Sequence, residues 1–185
     1  MTDIVNFNSD SFSHGQIVSK LWLCQQLEPF LHDVKNIAIL GCWYNILGFM
    51  LKVRGYDFNI TGYDIDSTAL VVSDRICDTW CLDGSIKHIV ADVNEVNLND
   101  FDLVINTSSE HMSSQWFDII PKDTLVCVQS SDRDDPYWPW LVCNPSDSLK
   151  TFCNRYPLSQ QLFVGSKSFD YGHLIYDRFM VIGVK

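Results

Sequence analysis

The run Ile37-Ala38-Ile39-Leu40-Gly41-Cys42-Trp43-Tyr44-Asn45 constrains the fold more than any other stretch. Four apolar residues enter a glycine, a short loop follows, and a helical pattern runs from Ile46 to Arg54. A buried parallel strand, a tight turn and a helix would read this way. Gly55 is a good residue to stop that helix. In open α/β sheets such a turn is a ligand site, because the helix N-terminus offers unpaired N–H groups and a positive dipole end.

The rest of the chain repeats the unit. Ile17, Val18, Leu21, Trp22, Leu27 and Phe30 recur near helical spacing over 13–31, with Pro29 close to the stop. Further strands are predicted over 58–63, 86–91, 102–106 and 125–129. Ser67, Ser113 or Ser114, and Ser146 are candidate caps for the helices that follow. Three prolines and three large aromatics in 131–145 predict an ordered irregular loop. Gln161–Ser166 and Tyr176–Val184 have no helix between them and predict an antiparallel hairpin. The expected class is α/β: five strand–helix units and a hairpin, in one domain. Residues 1–33 are read as a helical segment or lid of that domain and 34–185 as its body.

Composition narrows the function. A formal net charge of −10 over 185 residues argues against a nucleic-acid backbone as partner. Seven scattered cysteines form no CxxC pair, although Cys77 and Cys81 share a helix face. Buried free thiols in a reducing cytosol are expected. His14, His32, His88 and His173 show no ligand spacing, so no metal is expected. The N-terminal Met-Thr-Asp-Ile-Val-Asn lacks a signal-peptide pattern. The apolar stretch 37–51 falls short of the roughly 20 residues of a membrane span. The expected location is cytoplasmic, away from membranes.

Four motifs in order, with the closing hairpin, resemble the class I S-adenosylmethionine-dependent methyltransferases, and small phage and bacterial members in particular. The motifs are Leu40-Gly41-Cys42-Trp43-Tyr44-Asn45, Gly62-Tyr63-Asp64-Ile65-Asp66, Ala91-Asp92-Val93, and Phe101-Asp102-Leu103-Val104-Ile105-Asn106 followed by Thr107-Ser108-Ser109-Glu110-His111. The resemblance covers about residues 34–185. It implies a Rossmann-like three-layer αβα sandwich, its seven-stranded, mostly parallel sheet ending in an antiparallel hairpin. It implies S-adenosyl-L-methionine as cofactor.

The resemblance also assigns residues. Gly41, Cys42, Trp43 and Asn45 would meet the amino-acid end of the cofactor. Trp43 and Asn45 stand where the family has glycine, and Ile39 where an acid is common. A tryptophan cannot take every backbone angle open to a glycine. Asp64 would hold the ribose hydroxyls, Ile65 would pack on the adenine, and Asp92 and Val93 would meet the ring. Asn106 would lie by the transferable methyl group. Asn106 is followed by Thr-Ser-Ser rather than Pro-Pro-Tyr, which argues against a nucleobase or glutamine amide as acceptor; the expected acceptor is a small molecule or a compact protein site.

Methyl transfer from a sulfonium asks the protein chiefly for alignment and dryness. His111 is the candidate base for an acceptor proton, with Glu110 next; both could instead brace the loop. Tyr137, Trp138 and Trp140 could wall an acceptor pocket. His14, Gln16 and Lys20 could close over the cofactor. The alternative function is a cofactor-binding interaction or sensor module of the same fold. A nicotinamide-dependent oxidoreductase would need a full G-x-G-x-x-G after the first strand, which this chain lacks. The oligomeric state is not legible.

Overall fold

A computed structural model describes residues 7–133, 142–172 and 175–185. Helices α1 (His14–Leu27), α2 (Ile46–Val53), α3 (Ser67–Ile76), α4 (Asp78–Leu82), α5 (Gln115–Asp118) and α6 (Leu149–Arg155) flank seven strands. The strands are β1 (Asn36–Leu40), β2 (Asn59–Asp64), β3 (Ile86–Val90), β4 (Leu103–Asn106), β5 (Leu125–Ser131), β6 (Gln160–Asp170) and β7 (Ile175–Val184). Their order is β3-β2-β1-β4-β5-β7-β6. Pairing is parallel for β1 with β2, β2 with β3 and β4 with β5, and antiparallel for β7 with β5 and β6. The sheet is therefore the expected mostly parallel, seven-stranded one with an antiparallel hairpin.

The chain divides into two compact units, Met1–Val93 and Asn94–Lys185. In the first, β1 is buried almost throughout, as a parallel strand covered on both faces should be. β3 is an edge strand and exposes Ile89 and Val90. Tyr44, Ile46, Ala69 and Val72 form a core cluster that packs Ile17, Trp43, Met50 and Ile76. The turn into α2 and the faces of α1 and α3 thus share one apolar filling.

In the second unit β4 and β5 are buried along nearly their whole length. Phe117 and Phe152 each meet Tyr156 edge to face, with centroids at 5.2 and 5.4 Å, and Trp116 lies tilted against Tyr156 at 5.5 Å. All four of these side chains are among the largest fully buried ones. The hairpin needs Gly183, because a Cβ there would lie 2.1 Å from the Gln160 carbonyl oxygen.

Several local expectations are corrected. Asp66, not Ser67, caps α3: its Oδ1 accepts from the N–H groups of Thr68 and Ala69 at 2.8 and 3.2 Å. Ser148, not Ser146, caps α6. The stretch 91–102 carries no helix, so the strand–helix alternation lapses once. Both hairpin strands are longer than predicted.

Candidate functional site

The turn after β1 carries three left-handed residues, of which only the first is a glycine. Gly41, Trp43 and Asn45 have φ of 62°, 49° and 47°, all left-handed. For tryptophan this conformation is strained, and only the surroundings can hold it. Trp43 is fixed from both sides. Its N–H donates to Asp64 Oδ2 at 2.7 Å, and its carbonyl accepts from Ser73 Oγ at 2.6 Å. Its ring stacks on Tyr44, with centroids 4.7 Å apart.

Asn45 caps α2 with its own side chain. Oδ1 accepts the Gly48 N–H at 3.1 Å, and Nδ2 faces His88 Nε2 at 2.9 Å. The residue is 1% exposed. Its side chain is thus spent inside the protein; its N–H donates to the Cys42 carbonyl at 2.7 Å and its own carbonyl accepts the Phe49 N–H at 3.0 Å, which leaves one carbonyl lone pair for a ligand. The Cys42 N–H joins the Tyr63 carbonyl at 3.0 Å, and burial pushes the Cys42 thiol well above its ordinary range, with Asp64 adding to the effect.

Asp64 ends β2 half-buried, with Oδ1 accepting the Asp66 N–H at 3.0 Å. Each carboxylate oxygen takes one backbone N–H and keeps a second lone pair. Ile65, the next residue, is 75% exposed, an apolar side chain standing free beside an acid. This pairing of acceptor lone pairs with an exposed apolar side chain fits a ribose diol and a flat apolar base. Asp92 is exposed and Val93 buried, so the pair presents one polar and one apolar group.

The N-terminal segment lies against the same turn. Phe7 stacks on Tyr44 and touches Phe12, and the Asn8 N–H donates to the Tyr44 hydroxyl at 3.1 Å. Gln16 and Lys20 bond one another on α1, and His14 is exposed at its start.

In the second unit, fully buried Asn106 ends β4. Its Oδ1 accepts the Ser108 N–H at 2.9 Å and its Nδ2 points at Met112 Sδ. Glu110 is 3% exposed. Its Oε1 accepts from Ser131 Oγ at 3.4 Å and lies 3.7 Å from Arg178 Nη2. Its Oε2 is buried with no hydrogen-bond partner among the described residues, and so is Arg178 Nε. Arg178 Nη1 donates to the Thr107 carbonyl at 3.1 Å. His111 is about half exposed, with Nε2 4.0 Å from Glu110 Oε1. Sequence reasoning missed Arg178. It sits about seventy residues from Glu110, on a strand whose pattern gives no hint of a buried charge. Tyr137, Trp138 and Trp140 lie outside the described residues.

The sequence also gave no sign of one polar grouping in the first unit. Asp74, Cys81 and His88 bring their ligand atoms within 4.8 Å of one another. They come from α3, α4 and β3, so their even spacing of seven residues belongs to no one helix or strand. All seven cysteines are free, as expected, but Cys143 is exposed and Cys81 and Cys153 are partly so. No described helix is long and apolar enough to cross a membrane.

Comparison with solved structures identifies the fold. The N-methyltransferase NodS from Bradyrhizobium japonicum, solved with S-adenosyl-L-homocysteine, superposes with a TM-score of 0.70 over 98% of this chain and 93% of its own, at 11% identity. Coclaurine N-methyltransferase, bound to N-methylheliamine and S-adenosylhomocysteine, gives 0.68 over 97% and 76%, at 12% identity. The [4+2]-cyclase SpnF gives 0.67 over 94% and 84%, at 13% identity. No family model and no curated relative matches the sequence. The chain has the fold of the class I S-adenosylmethionine-dependent methyltransferases. At these identities the likeness concerns architecture, and SpnF is a reminder that one architecture hosts several reactions.

Proposed function

We propose that the protein binds S-adenosyl-L-methionine and transfers its methyl group to a small-molecule acceptor. The observation that supports this most is the turn. Gly41, Trp43 and Asn45 are all left-handed, and Trp43 is tied to the acid that ends β2. A chain that had abandoned a cofactor at this turn would have no need to keep a strained Trp43 there.

In this reading the backbone carbonyl oxygens of Gly41, Cys42, Trp43 and Asn45 take the ammonium group of the amino-acid end, since the N–H groups of Cys42, Trp43 and Asn45 are already bonded within the protein. Asp64 takes the ribose hydroxyls with its remaining lone pairs. Ile65 and Val93 pack on the adenine, Asp92 takes its amino group, and Asn106 shapes the loop beside the methyl group. The cofactor supplies an electrophilic methyl on a sulfonium. His111, reachable by solvent, accepts the proton of an acceptor hydroxyl or amine, and Glu110 supports it. Tyr137, Trp138 and Trp140 are assigned to the acceptor, and residues 1–33 to a cover over a 34–185 body. The charge of −10 disfavours nucleic acid as acceptor, and seven free thiols suit a reducing cytosol.

Titration calorimetry of S-adenosylmethionine and S-adenosylhomocysteine tests the reading. Asp64→Ala should weaken both by roughly a hundredfold, since it removes charge-assisted bonds and the anchor of Trp43. Asp64→Asn should lose less, because an amide oxygen can still accept the Trp43 N–H. Folded wild-type protein that binds neither compound would overturn the proposal. The second reading, binding without transfer, draws support from Glu110, which is buried beside Arg178 as a structural counter-ion would be. Tight binding with no turnover on amine and hydroxyl acceptors would favour it.

A further inference from the structure

A polar chain runs behind the turn, and its hydrogen bonds fix the donor and acceptor role of each member. The Gly48 N–H can only donate, so it claims Asn45 Oδ1, and the amide nitrogen Nδ2 is left facing His88. Nδ2 can only donate too, so His88 Nε2 accepts. The ring proton of the neutral imidazole is then on Nδ1, which donates to Asp74 Oδ1 at 2.6 Å. The His88 side chain is 1% exposed and that of Asp74 is 60% exposed. The chain therefore leads from solvent through Asp74 and His88 to Asn45 and the first turn of α2.

We propose that Asp74 and His88 are positioning residues for the cofactor turn, and that they make its shape sensitive to protonation. This rests on the cofactor reading above. Asn45 is left-handed and buried, and only a donor-accepting partner at His88 Nε2 keeps its amide oxygen turned to Gly48. A second proton on His88 sets N–H against NH₂. If the Asn45 amide turns to relieve that clash, NH₂ meets the Gly48 N–H instead. Protonated His88 and a capped α2 exclude one another.

The groups around the ring are known. Asp74 faces it from α3. Cys81 faces it from α4, with Sγ 4.0 Å from Nδ1. Cys42 and Asn45 approach from the turn, since a Cβ on Gly62 would meet Cys42 Sγ, His88 Cδ2 and Asn45 Nδ2 together. Burial pushes the Cys81 thiol up, and the charges of Asp74, Asp78 and Asp83 add to the effect. The same tautomer disposes of Asp74, Cys81 and His88 as a ready metal site. Nδ1 carries the proton, and the ring's lone pair is on the far side, occupied by Asn45. An ion at Nδ1 would drive the proton to Nε2 and uncap α2 in the same way.

The test combines calorimetry with S-adenosylhomocysteine and hydrogen exchange at the Gly48 amide, from about pH 8 to about pH 5.5, where imidazole ordinarily titrates. His88→Gln is the informative variant. Its amide can accept from Asn45 and donate to Asp74 but does not titrate. Wild type should lose about tenfold in affinity on acidification, with Gly48 protection falling in step. His88→Gln should stay within about threefold of wild type at pH 8 and show no such fall. His88→Leu should be weak and poorly protected at both pH values. Equal acid sensitivity in wild type and His88→Gln, by either readout, overturns the proposal, as does wild-type protection of Gly48 in His88→Leu. Failure of wild type to bind at any pH instead overturns the cofactor reading, while Gly48 exchange still decides the protonation link. Added zinc that tightens S-adenosylhomocysteine binding would also count against it.

Discussion

Gly62 shows how little room lies behind the turn. It sits mid-strand, where a glycine usually costs stability. A Cβ at this place would stand 2.8 Å from Cys42 Sγ and 3.0 Å from His88 Cδ2. Gly62→Ala should therefore destabilise the protein by about 1–3 kcal/mol. Urea unfolding would read this as a lower midpoint at unchanged slope; an unchanged midpoint would mean that the cluster is loose. None of this crowding was legible in the sequence. Gly62 could be read only as part of a Gly-Tyr-Asp motif. The turn itself was half legible. The departure from glycine at Trp43 and Asn45 was plain, but its outcome depended on Asp64 and Ser73, which lie 21 and 30 residues away.

At the scale of elements, the strands were easiest to read and the helix starts hardest. β1, β4 and β5 announce themselves because a strand buried on both faces is a continuous apolar run. The hairpin is readable because nothing helical separates its strands. The caps were misplaced by one and two residues. Asp66 and Ser67 are both good capping types, and the choice falls on the one whose backbone is extended, with φ −86° and ψ 96°. Replacing each with alanine separates the two cases. Asp66→Ala should cost about 1 kcal/mol and Ser67→Ala only a few tenths. Equal losses in thermal or urea unfolding would return the cap to Ser67. The candidate site was legible where a motif sits on one element and illegible where it is assembled. Asp64 and Glu110 could be found from strand ends; Arg178 and the Asp74–His88 pair could not.

For the molecule as a whole, the thiols set an alkaline limit. Burial pushes Cys77 up to about 12 and Cys24 up to about 11, from an ordinary value of 9.0. The unfolded chain loses these protons from about pH 9 while the folded chain keeps them. Over that window the folded state binds more protons, so stability falls as pH rises from about 9 to about 12. Below 9 both states keep the protons, and the term is flat. Cys77→Ala should lower stability at neutral pH through the cavity it leaves, yet flatten the alkaline slope. Urea midpoints measured across that range would check the prediction, and an unchanged slope would contradict it. Cys143, the exposed thiol, should react first with an alkylating reagent.

The strand order carries a consequence for how the protein is made. β7 follows β6 in sequence but lies between β5 and β6 in the sheet. A ribosome finishes β6 first and must then hold it without a neighbour. Until residues 175–184 emerge, β5 has no antiparallel partner and β6 has nothing to pair with. The hairpin is a keystone set last: a nascent chain stalled before it carries open strand edges and is exposed to misassembly with its own copies on a crowded polysome.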